Sequence, residues 1–227
     1  DELTRSIQVS PQDKIIYAIG NYNDEDKVYS MIPDGSKLLP KLETMTISNK
    51  NGFKDTNLLM VGKQVVQIDG LVTDATIPME RLVARLDVYM FKSRRLENNT
   101  VILKSIELVN QITNTRGEYQ NTIMVSPVET QNDLRTISSN NVLGVMPDDM
   151  SGIIPANATE SFYSYQNIAA SADPDPNVTP YLLITADIDG VSHRYKGYIT
   201  DNGQTTDKYS LKRNTVYRII AMLDNPD

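Results

Sequence analysis

One histidine and no cysteine in 227 residues limit the chemistry this chain can perform. His193 has no nucleophile or second metal ligand beside it in the sequence, so it assembles neither a catalytic triad nor a typical zinc site. A structural place at a sheet rim is the plainer reading. Zero cysteines exclude disulfides, thiolate nucleophiles, Cys-ligated zinc and iron–sulfur clusters. Asp173-Pro-Asp-Pro-Asn177 opens like a calcium loop, but its sixth place is Val178 where a turn needs Gly, and its twelfth is Ile184 where Glu is needed. The two intervening prolines stiffen it further against wrapping an ion. Asp24-Glu-Asp26 and Asp148-Asp149 read as solvated turns. No Gly-rich phosphate loop, Gly-x-Ser-x-Gly elbow or His-Glu-x-x-His is present. Paired carboxylates for glycoside hydrolysis would have to converge from distant positions, which spacing does not reveal. The expectation is a chain with no catalytic, cofactor-binding or metal-ligating residues, and no enzyme.

The elements that would carry such side chains are short and strand-like. Asp189-Gly190 is a strong two-residue hairpin signal, because both central residues of a type I′ turn need positive φ. Counting outward pairs Ile188 with Val191, Ala186 with His193, Ile184 with Tyr195 and Leu182 with Gly197, a mostly apolar parity. The other parity pairs Asp187 with Ser192, Thr185 with Arg194 and Leu183 with Lys196. A slip of one residue would bury Arg194 and Lys196, so the register is well specified. The stretch Tyr181 to Leu223 thus reads as three consecutive antiparallel strands. Further strand-like runs are Lys14–Gly20, Leu58–Val61, Gln64–Ile68, Leu82–Tyr89, Thr100–Val109, Thr122–Val125 and Phe162–Tyr165. Turn signals between them include Asn21–Asp26, Asn98-Asn99 and Asn114–Gly117. Many short strands with such punctuation predict an all-β sandwich.

Pro78 to Met90 keeps both helical and strand spacing, so periodicity leaves it open. Leu38–Ile47 could hold a short helix. Ser126 to Thr159 is polar and poorly periodic, a loop of roughly 30 residues, a length usually tied to function. Net charge of −7 and a pI near 4.8, with Lys and Arg scattered, argue against a nucleic-acid partner. No run of 18 apolar residues is present. Twelve Tyr and no Trp modestly lower a glycan-platform reading, since Tyr in sandwiches more often fills the core rim.

Three strings carry a resemblance: Phe162-Tyr-Ser-Tyr-Gln-Asn167, Tyr181-Leu-Leu-Ile-Thr-Ala186 and Leu211-Lys-Arg-Asn-Thr-Val-Tyr217. They resemble the C-terminal domain of Bacteroidetes fimbrillins, the FimA/Mfa-type pilus proteins. Glu80 to Val88 looks like the strand that closes the family's N-terminal domain, and Ile16 to Asn21 like an earlier strand. The ordered set covers most of the chain.

The resemblance implies two tandem transthyretin-like (Greek-key) β-sandwich domains, residues 1–92 and 93–227, with a long loop 126–159 in the second, and it makes Pro78–Met90 a strand. It implies a structural subunit of a cell-surface fimbria at the outer membrane, supporting adhesion. Its partners would be other pilin subunits, joined by strand addition, and host or bacterial surface ligands. A lipid anchor would belong to the precursor. In the family an N-terminal strand is cleaved off after an Arg, and a neighbour's segment fills the groove. Arg5, within Thr4-Arg5-Ser6, is a candidate for that cleavage. The family has strand material before the counterpart of Ile16 and a tail ending in a Val-x-x-Trp-like string. This sequence has neither, so trimmed ends or an anchor or tip variant are expected, and the first domain should offer an open groove. The competing reading is a glycan-binding or tip adhesin module, with the 126–159 loop and Tyr163 and Tyr165 as its recognition surface.

Overall fold

A computed structural model describes residues 6–21, 46–48, 58–70, 73–116, 130–138, 141–148, 158–168, 173–200 and 208–225. These residues form twelve strands: β1 (Lys14–Gly20), β2 (Thr46–Ser48), β3 (Met60–Val66), β4 (Glu80–Arg81), β5 (Val83–Lys92), β6 (Val101–Ile112), β7 (Asn114–Arg116), β8 (Thr130–Thr136), β9 (Glu160–Tyr165), β10 (Tyr181–Ile188), β11 (Val191–Tyr198) and β12 (Val216–Leu223). The one helical turn among them is a 3-10 turn at Arg94–Leu96.

Two sheets make the larger sandwich. One has the order β11-β10-β6-β8 and the other β12-β5-β9. Alternate residues of β10 (Leu182, Ile184, Ala186, Ile188) and inward residues of β6 (Val101, Leu103, Ile106, Leu108) meet Ala84, Leu86, Val88 and Met90 of β5 and Phe162 of β9. Strands that alternate this way bury one face and leave the other wet. The β10–β11 register is the one counted from the turn, Ala186 opposite His193 and Ile184 opposite Tyr195. Asp189 and Gly190 both have positive φ, 49° and 86°. Asp189 also ties the turn to the next strand, accepting from Thr100 N and Asn99 Nδ2. Those two bonds, the Asn99 side chain first, hold its carboxyl below the usual range.

A smaller sheet, β1-β3-β4, stands over a second cluster of Leu59, Val61, Leu82, Val83, Ile112, Tyr163 and Tyr165. Gly62 on β3 is required there, since a Cβ would lie 2.5 Å from the Pro78 carbonyl. β2 pairs with β7.

Several expectations are corrected. β12 does not continue an antiparallel succession from β11; it crosses to the other sheet and pairs parallel with β5 over all eight residues. The register of a strand with its distant partner is not contained in its own alternation. The 126–159 stretch is not a single loop, because it contains β8, which pairs antiparallel with β6. β8 escaped notice because Leu134 is its only large apolar residue. The Asn114–Gly117 turn is instead β7 over Asn114–Arg116, where pairing with β2 overrides the turn preference of Asn. Leu58–Val61 and Gln64–Ile68 are one strand, β3.

Pro78–Met90 is extended, giving β4 and β5. β5 is buried on nearly every residue, which erases the period of two and explains why its spacing looked helical as well. By pairing, β5 lies between β9 and β12. The Thr122–Val125 run and most of Leu38–Ile47 lie outside the described residues; Thr46 and Ile47 belong to β2.

Candidate assembly edges

The side chains singled out for chemistry do not converge. His193 is half-buried on β11 opposite Ala186. Asp175 is taken up by its own turn: Asn177 N donates to its carboxylate, and Val178 N and Thr179 N to its carbonyl. Asp148 pairs with Arg94 on the surface. Among the described residues no three His, Cys, Asp or Glu side chains gather into a metal-binding group. Asp24, Glu25, Asp26, Asp149, Thr4 and Arg5 lie outside the described residues. Tyr163 and Tyr165 are both 4% exposed within the second cluster, so they form no recognition surface. β5 pairs along this strand, and Gln111 and Ile112 of β6 bond to Tyr163 and Ser164.

A cleft of about 310 Å³ opens beside the second cluster, lined by Leu58, Arg81, Val83, Arg85, Tyr163 and Asn214–Val216. Its polar groups are engaged in holding β12. Asn214 adopts φ 57°, donates its N–H to the Val83 carbonyl and accepts from Arg81 N through Oδ1. Asn tolerates the left-handed region better than most residues. Arg213 reaches Glu80 at 3.2 Å, and Arg85 holds Asp87 at 2.7 Å. The Tyr217 hydroxyl accepts from Lys212 N and donates to the Ser210 carbonyl. The Leu211–Tyr217 string is therefore the clamp that delivers the chain into β12.

What the architecture offers a partner is its strand edges. An edge presents unpaired N–H and C=O groups, and proteins blunt it with charges, bulges or coverings. β8 is blunted from inside. Asp133 and Arg135 lie on its core-facing parity, Arg135 sits over the Phe162 ring at 5.7 Å, and Leu134 points outward, 58% exposed. Arg135 Nε is buried without a hydrogen-bond partner. β9 is capped: the fully buried Gln111 donates to the Tyr163 carbonyl at 2.6 Å, and Ser164 Oγ accepts from Ile112 N. A register shift in β6 between Leu108 and Gln111, with Asn110 at φ 58°, accompanies this contact. β11 shows Arg194 and Lys196 to solvent. The Lys196 ammonium lies 4.1 Å from the Tyr181 ring centroid and 4.6 Å from that of Tyr198, and its pKa is raised, first by the Tyr198 hydroxyl.

β12 and β1 differ from these. Val216, Ile220 and Met222 of β12 are 58%, 40% and 50% exposed, and its inward Tyr217, Ile219 and Ala221 are only half-buried against the large core. On β1 no residue is buried, and Ile15 is exposed opposite the equally exposed Val65. Among the described residues β1 pairs with β3 alone.

No family model matches the sequence, and no curated protein matches it. Solved structures do. A candidate cell adhesion protein of Parabacteroides distasonis superposes with a TM-score of 0.67 at 15% identity, covering 95% of this chain and 68% of that one. The fimbrilin FimA of Porphyromonas gingivalis gives 0.58 at 14% identity, covering 93% and 73%. The tip fimbrial protein Mfa3 of the same organism, truncated at its C-terminus, gives 0.56 at 15%, covering 96% and 78%. This chain has the fold of those fimbrial and adhesion proteins, the group that its sequence strings resemble.

Proposed function

We propose that the chain is a fimbrillin-family structural subunit of a cell-surface fimbria, joined to its neighbours by strand exchange and supporting adhesion without enzymatic chemistry. The observation that carries this is a fold shared over more than nine-tenths of the chain with fimbrial proteins. The proposal includes two transthyretin-like units, with β5 built into the larger one, and an outer-membrane location reached through a lipidated precursor. The first unit, around the smaller cluster, provides an acceptor groove beside β1. The half-buried faces of β1 and the exposed Ile15–Val65 pair support that placement.

A donor strand of about ten residues inserts about five aliphatic side chains there, worth about 7–15 kcal/mol gross before ordering costs. Such a joint holds without a disulfide. The test is electron microscopy and immunogold labelling of cells carrying the natural full-length gene. Labelled filaments are the expected result, with Ile15→Asp stopping their growth while subunits are still exported. A subunit that appears only as surface monomers, with filaments unaffected by its deletion, refutes the reading.

A further inference from the structure

We infer that β12 is a second strand-addition edge, taking an extended, alternately apolar segment of another fimbrial subunit onto the larger sandwich. This rests on the strand-exchange reading and adds a junction to the one beside β1. The two hydrogen bonds that flank the strand show which way its backbone faces. Arg85 N donates to the Thr215 carbonyl at 2.9 Å, and Ser93 N to the Leu223 carbonyl at 2.7 Å. In a parallel ladder the N–H and C=O of one residue point the same way, and successive residues alternate. Tyr217, Ile219 and Ala221 therefore bond toward β5, while Val216, Arg218, Ile220 and Met222 turn their main-chain groups to the outer edge. Among the described residues no strand lies beside it. The register with β5 runs unbroken from Val216 to Leu223, with no bulge to twist the edge away.

The other three outer edges of this sandwich are each closed: β8 by inward charges, β9 by the Gln111 amide and β11 by Arg194 and Lys196. β12 carries Arg218 as its single charge. The chemistry of the occupant follows from the two faces. On the inner face, Ile219 and Ala221 are left half-buried against the large core, so the incoming segment must supply apolar side chains at alternate positions. On the outer face it runs along Val216, Ile220 and Met222 and meets the Arg218 guanidinium with a carboxylate. Only an extended chain satisfies four alternating N–H and C=O groups in a row.

The test uses fimbriae on cells carrying the natural full-length gene. Ile220→Pro removes an outward N–H while leaving the β5 ladder intact, as an edge strand tolerates. Ile220→Lys adds an edge charge without touching the backbone, which covers a folding failure of the proline variant. Arg194→Pro is the control: with Ile188–Val191 and Ala186–His193 as hydrogen-bonded pairs, Arg194 also points its N–H outward. Loss of fimbriae is expected for both Ile220 variants and normal fimbriae for Arg194→Pro. In wild-type fimbriae the amides of Val216, Arg218, Ile220 and Met222 exchange at least about 100-fold more slowly than in the free subunit. Normal assembly of both Ile220 variants, or unchanged exchange at those four amides, overturns the inference. If amides elsewhere gain protection, strand exchange stands and this edge falls. If no amide in the chain gains protection, the strand-exchange reading falls and takes this inference with it.

Discussion

Gln111→Met is the most searching test of how the sandwich is closed. Gln111 is fully buried at the end of β6, just past the register shift, and its Nε2 reaches the Tyr163 carbonyl of β9 in the opposite sheet at 2.6 Å. Its Oε1 accepts from Gln131 Nε2 of β8 at 3.4 Å, a longer and weaker contact. Methionine fills nearly the same volume, so little cavity forms, and what is lost is the donor. A buried acceptor deprived of its partner costs about 1–3 kcal/mol. For a chain of this size that lowers the melting temperature by about 2–12 °C.

Urea unfolding followed by far-ultraviolet circular dichroism and tyrosine fluorescence reads it directly, there being no Trp to confuse the signal. Gln131→Met is the internal control. Its partner contact is long and part-buried, so the change should stay within about 0.5 kcal/mol. Ser164→Ala breaks the neighbouring bond from Ile112 N, and combined with Gln111→Met it should deviate from additivity, because the two bonds close the same corner. A Gln111→Met protein as stable as wild type, or a Gln131→Met protein that loses more, refutes the idea that this amide closes the β9 edge.

Two further outcomes are expected. Gly62→Val drives side-chain atoms into the Pro78 carbonyl, Met79 and Ile77, costing about 1–3 kcal/mol; limited proteolysis should speed up within β1–β4 while β6 and β10 stay protected, and uniform loss of protection would argue that the two clusters are one cooperative unit. The closing contact at the end of β12 gives stability a plateau with two limbs. The Asp224 carboxyl is held low, first by Ser93 Oγ, so its contribution is present above its unfolded pKa and lost as pH falls through the folded one. The Tyr195 hydroxyl is held high, by burial and then by Asp224, so its contribution is full below its unfolded pKa and lost as pH rises through the folded one. Unfolding free energy measured across pH should show a softer alkaline limb in Tyr195→Phe and a softer acid limb in Asp224→Asn.

How much of this was legible in the sequence depended on whether the information was local. The β10–β11 register followed from two turn residues and alternating parity, because a tight hairpin leaves no other solution. The partner of β12 lies some 130 residues earlier in β5, and nothing in a strand's own pattern names a distant partner. β5 was ambiguous because a strand covered on both faces has no polar row to betray its period. β8 was invisible for the opposite reason: its alternation is present but inverted, with charges facing the core and Leu134 facing out. For the candidate site, residue types and spacing in the sequence pointed to no cluster of reactive side chains. The edges that replace such a cluster are a property of sheet order, and only the fold displays them.

That inversion on β8 says something about the design. Placing Asp133 and Arg135 against the core, with one guanidinium nitrogen buried without a partner, weakens packing that a Val or Leu would improve. Such a concession is useful only if stray pairing at that edge is the greater hazard. A subunit that grows by adding strands carries this hazard on every edge, because the ladder that joins it to the right neighbour would equally join it to a wrong one. Strand addition at β1 and β12, with β8, β9 and β11 closed, would restrict the joints to few and directional ones. Head-to-tail joints that do not close on themselves build filaments, whereas receptive edges on every sheet would build a branched precipitate. On the proposed strand-exchange function, the guarded edges are therefore as much a part of assembly as the open ones.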